Sequence, residues 1–131
     1  MVAVNKASIV IPLAGAALLA LAGCSSDESS GATEDGLRAA LDAQYANLQQ
    51  GDWAADYDNL SARCQEKFGR EEYTEAAATA YAGRDFSGPQ QVEITMDGDS
   101  ATVVATSFDG KGNKAPMTWT YLDGEWRFDS C

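Results

Sequence analysis

The apolar residues of this chain change their spacing once, near residue 88, and that switch limits the folds open to it. Before it, Leu37, Leu41, Tyr45 and Leu48 recur every three or four residues, laying one apolar stripe along an α-helix. After it, Val92, Ile94 and Met96 alternate with polar residues, the period of a strand with one face buried. Helices first and strands afterwards leave no βαβ units. The expected class is therefore α+β, an antiparallel meander with one face covered by the helices.

Local signals set the expected boundaries. Thr33 can cap the first helix, with Glu34 and Asp35 in its first turn and Gly51 at its end. Asp52 can cap a short second helix presenting Trp53, Tyr57 and Leu60. A turn of helix with Cys64 and Phe68 follows, and then a helix from Arg70 to Ala82 with Tyr73, Ala77 and Tyr81 aligned. In the second half, Asp97-Gly98 reads as a hairpin turn before a strand from Ala101 to Phe108. Further strands are expected at Met117 to Leu122 and Glu125 to Phe128, joined by a tight turn at Asp123-Gly124. The stretch "DGKGNK" before Pro116 is a looser loop.

Residues 1–23 read as an export signal. Lys6 is followed by an uncharged run from Ala7 to Gly23, 17 residues where a membrane-spanning helix needs about 20. The run stops at Leu21-Ala22-Gly23-Cys24, which resembles the bacterial lipobox. That likeness implies cleavage before Cys24, a diacylglyceryl thioether on its sulfur, and attachment to the outer face of the cytoplasmic membrane. Two acyl chains suffice for stable anchoring. Residues 24–33 then form a lipidated cysteine and a flexible polar tether with no apolar side chain larger than alanine. Residues 34–131 are the folded domain.

With Cys24 capped by lipid, Cys64 and Cys131 remain as an even pair in an oxidising compartment. One intramolecular connectivity is then possible, and without a Cys-x-x-Cys motif it reads as a structural disulfide.

The chain carries 9 basic and 20 acidic residues. Removing the signal removes Lys6, which leaves a net charge of −12. Such a surface repels phosphate backbones and anionic headgroups, so no nucleic-acid partner is expected and membrane contact falls to the lipid.

The order of these pieces is itself informative. A long helix, a short helix headed "GDW", then "NLSARCQEKFG", "REEYTEAAATAY" and strands closing on "YLDGEWRFDSC" resemble the nuclear transport factor 2-like superfamily, in particular small secreted actinobacterial lipoproteins. The resemblance spans Glu34 to Cys131 and is most specific at Gly51-Asp52-Trp53 and Asp123-Gly124-Glu125-Trp126-Arg127. It implies a cone, a curved sheet wrapped round helices with a pocket at one end, and pairing of copies through the outer sheet face. Alternating Thr102, Thr106, Thr118 and Thr120 mark such a face, or a solvated one.

Catalytic signals are sparse. No histidine is present, so the usual proton carrier near neutral pH is missing. A base would have to be a carboxylate such as Asp56 or Asp58, with Tyr45, Tyr57 or Tyr81 as donor. Both aspartates flank Tyr57 on a short helix, where they are expected to face water. Phosphate loops and nucleophile elbows are missing, and neither "DYDN" nor "DGDS" spaces oxygen ligands for calcium. Hence no cofactor, metal or enzymatic activity is expected. The expectation is a non-catalytic accessory domain that binds a small apolar ligand or a membrane-protein partner; the alternative is an isomerase or dehydratase with a carboxylate base. Tyr45, Trp53, Tyr57, Trp119, Tyr121 and Trp126 either fill the cone or line its mouth.

Overall fold

Four helices precede four strands in the computed structural model, which describes residues 31–131. The signal segment, Cys24 and the tether up to Ser30 lie outside the described residues. The helices are α1 (Glu34–Gln50), α2 (Trp53–Asp58), α3 (Ala62–Lys67) and α4 (Arg70–Ala80). The strands are β1 (Gln91–Asp97), β2 (Ser100–Thr106), β3 (Met117–Leu122) and β4 (Glu125–Phe128), paired antiparallel in the order β1-β2-β3-β4. The α+β class and the meander hold.

Caps decide where the first helices begin and end. The Thr33 hydroxyl accepts from the Gly36 amide at 3.1 Å, and Asp52 caps α2 through the Ala55 amide at 3.1 Å. Gly51 closes α1 at φ +66°, a left-handed conformation in which glycine meets no Cβ penalty. Three expectations shift. Helix α4 ends at Ala80 rather than Ala82, because Tyr81 begins the turn that leads to Gly83. The first hairpin turns on Gly98-Asp99, since Asp97 already pairs with Ser100. Strand β2 stops at Thr106 instead of Phe108; the Phe108 amide turns away to donate to the Tyr45 hydroxyl at 3.3 Å.

The tether also loses residues to the fold. A Cβ at Gly31 would lie 1.9 Å from the Tyr121 hydroxyl, Ala32 packs on the core, and Thr33 is the α1 cap. Ordered chain therefore starts by Gly31, three residues before the expected domain boundary.

Strand alternation puts Val103, Trp119 and Trp126 on the face that meets Leu37 and Leu41 of α1. A second cluster joins Tyr57, Leu60 and Cys64. The opposite sheet face is polar, with Thr95, Thr102 and Thr118 in register across β1, β2 and β3. Cys64 and Cys131 form the expected disulfide, across a sequence separation of 67 residues.

Candidate functional site

Helix α2 is only six residues long and lies between α1 and α4, so its buried arc is wider than one stripe. Asp56, three residues after Trp53, falls within that arc. Its side chain is 2% exposed and faces the interior, contrary to the expectation that it meets water. Asp58, two residues on, is exposed and paired with Arg70 at 2.5 Å.

The Asp56 carboxyl accepts a hydrogen bond from Tyr73, with the Gln44 amide nearby. The Tyr73 hydroxyl donates to its Oδ2 at 2.6 Å, whereas Oδ1 makes no hydrogen bond within the described residues. Burial pushes the Asp56 carboxyl above the usual aspartate range, with Tyr73 and the nearby Gln44 side chain acting in the opposite direction. Tyr73 is itself pushed well up by burial and by the adjacent carboxylate, so its hydroxyl keeps its proton and remains a donor. Burial and the Asp56 charge raise Tyr81 as well.

These groups border a cavity of about 180 Å³ between the helices and the inner sheet face. Leu41, Gln44 and Leu48 contribute from α1, Val103 and Ala105 from β2, and Met117, Trp119 and Phe128 from the last two strands. Lys111, Gly112 and Asn113 stand at its rim on the loop between β2 and β3. Arg84 fixes that loop. Its Nε and Nη2 donate to Asp109 at 2.8 and 3.1 Å, and Nη2 also reaches the Lys111 carbonyl at 2.8 Å. The same guanidinium holds the Asp109 carboxyl well below the aspartate range.

Of the six aromatics expected to line a pocket, Trp119 alone borders this cavity. It forms a wall, 2% exposed, and the space beside it stays open. Tyr45 is a tie, donating to the Gly88 carbonyl at 2.8 Å. Tyr57 donates to the Gln65 and Phe68 carbonyls at 3.0 and 2.9 Å within the second cluster. Trp53 stacks on Tyr81 at the surface, with ring centroids 5.2 Å apart. Tyr121 and Trp126 border a separate open groove of about 440 Å³ beside Gly31 and Gly36. Tyr73, which the sequence places on the apolar stripe of α4 but not at a site, completes the cavity with Gln44 and Arg84, which it does not single out.

Among the described residues no cluster of acidic, cysteine or histidine side chains is arranged to hold a metal ion, and no helix is long and apolar enough to cross a membrane. Comparison of the chain with protein-family models, with curated proteins and with solved structures yields no match.

Proposed function

We propose that this chain is an exported lipoprotein, anchored through Cys24, whose nuclear transport factor 2-like cone binds a small molecule at the outer face of the cytoplasmic membrane. One observation carries the binding role: a cavity with mixed apolar and polar walls, bordered by the buried Asp56 carboxyl, one oxygen of which makes no hydrogen bond within the described residues. Apolar walls with few convergent polar groups are the general form of a ligand pocket. An unmet buried acceptor costs about 1–3 kcal/mol, so retaining it fits a site built for something other than stability.

Native mass spectrometry of full-length protein extracted from membranes tests both halves. The mature mass should begin at Cys24 with an added diacylglyceryl group, and a small adduct should accompany the folded species. Ala105→Phe, which fills the cavity from β2, should remove the adduct while the lipid mass stays. An unprocessed chain starting at Met1 defeats the anchor; an adduct indifferent to Ala105→Phe defeats the pocket.

A second reading, an isomerase or dehydratase using Asp56 as base, is favoured by its raised pKa and the Tyr73 donor beside it. The two diverge on the released adduct. Unchanged ligand after prolonged incubation with fresh protein supports binding, and a converted isomer or dehydrated product supports catalysis.

A further inference from the structure

We propose that the cavity's ligand is a small organic amine, held as its ammonium cation on Asp56 with a body of about one ring against Trp119; this rests on the binding role proposed for the cavity and adds the ligand's charge and size.

Charge comes first. Asp56 is the one charged residue buried in the described chain. The other well-covered carboxylates have cationic partners: Asp109 has Arg84, and Asp129 has Arg63 at 3.1 Å. Asp56 has the Tyr73 phenol and the nearby Gln44 amide, neither of them a cation, and its Oδ1 makes no hydrogen bond within the described residues. A buried carboxylate without a cation is costly unless a partner arrives from outside. An anionic ligand would add a second unpaired negative charge, and a hydrocarbon would leave Oδ1 unmet. A hydroxyl would answer the hydrogen bond but not the charge. An ammonium answers both.

The walls agree. Tyr73, having spent its proton on Oδ2, offers lone pairs to a second donor. Trp119 and Phe128 contribute aromatic rings to the lining, and such rings attract cations. Two cationic side chains line the rim and could oppose an ammonium. Arg84, however, is neutralised by Asp109, and Lys111 is exposed on the rim loop. A mature charge of −12 favours approach of cations from solution.

Size narrows the class. A cavity of about 180 Å³ lies below the roughly 300 Å³ at which drug-sized pockets begin. It is close to the ~150 Å³ engineered cavity that admits a benzene ring. One ring or a short branched chain fits.

Protons and amine compete for Asp56. Of the groups facing it, Tyr73 and Tyr81 are held protonated and Arg84 is ion-paired; Lys111 stands at the rim, and α1 contributes only the neutral Gln44. The strands add no titratable side chain to this lining. Amine affinity should therefore fall as pH drops through the raised Asp56 range, with a proton released on binding.

Isothermal titration of the detergent-extracted full-length protein with benzylamine, benzyl alcohol, toluene and benzoate tests this, since the four differ little in size. Benzylamine should bind at least tenfold more tightly than the other three, and weaken between pH 8 and pH 4. Its advantage should vanish in Asp56→Asn, with folding verified by thermal unfolding. Should that variant not fold, nuclear Overhauser contacts from the Trp119 indole to the benzylamine ring in the wild type take its place, and their absence rejects the site. Toluene or benzyl alcohol binding as well as benzylamine, or a benzylamine affinity flat with pH, overturns the amine and leaves the pocket standing. No binding by any of the four, with no adduct in native spectra, overturns both.

Discussion

Asp56 makes a prediction at the scale of a single carboxylate. Its folded pKa lies above the value of about 3.9 it takes when unfolded, so the native state binds the proton more tightly. The stabilisation is fully present below that unfolded value and declines as pH rises through the folded one. Asp109 and Asp129 act in the opposite sense. The Arg84 guanidinium lowers Asp109; burial pushes Asp129 up but is outweighed by hydrogen bonds from Ser61, Thr120 and Arg63. Their contributions are lost as pH falls below about 3.9, so the two windows do not overlap. No histidine titrates between them. Urea unfolding of the wild type should therefore lose stability from pH 4 upward, with a slope of at most about 1.4 kcal/mol per pH unit, and Asp56→Asn should flatten it. Equal slopes would mean that Asp56 is not buried as described. The sequence named this residue yet placed it in water, for a physical reason. A stripe drawn through Trp53, Tyr57 and Leu60 assumes a helix packed on one side, whereas α2 is covered on two.

Elements were more legible than the site. Thr33, Gly51, Asp52 and the Asp123-Gly124 turn act through local geometry, which sequence alone carries; both turn residues adopt positive φ, at 52° and 83°. The end of β2 was not legible, because a bond from Phe108 to Tyr45, 63 residues away, decides it. The Cys64–Cys131 disulfide was legible from the cysteine count, whereas the Asp129 ties of the C-terminal segment, which combine distant partners, were not. Beyond β4, Asp129 accepts from Ser61 at 2.6 Å, from Thr120 at 3.0 Å and from Arg63, and the disulfide fastens Cys131 to α3. Closing a 67-residue loop should contribute roughly 4 kcal/mol through the unfolded chain. Cys131→Ser should lower the melting temperature by about 15 °C or more, measured by circular dichroism. The Asp129 bonds remain in that variant, so the segment should stay docked, and adding Asp129→Ala should lower the melting temperature again. If Cys131→Ser melts like the wild type, the disulfide contributes nothing beyond what Asp129 already holds.

At the scale of the molecule, the chain's path orients the pocket. Gly31 lies against Tyr121, near the end of β3, whereas Met117 at that strand's start borders the cavity. Four residues of strand separate them by about 13 Å. Helix α1 runs the same way: Gly36 stands beside the groove near Gly31, while Leu41, Gln44 and Leu48 reach the cavity, about 8–18 Å further along. Seven residue steps separate Cys24 from Gly31, a reach of at most about 25 Å. If Cys24 carries the proposed lipid, the β3–β4 turn is tied to the bilayer while the rim at Lys111 to Asn113 points outward. The acidic surface reinforces this by holding the domain off anionic headgroups. Ligand would then enter from the aqueous side rather than from lipid. Lipidated protein in nanodiscs doped with a gadolinium-chelating lipid provides the measurement. Amide signals of Asp123 and Gly124 should broaden more than those of Gly112 and Asn113. Equal broadening would mean a domain that tumbles freely on its tether, and the reverse order would turn the cavity toward the membrane.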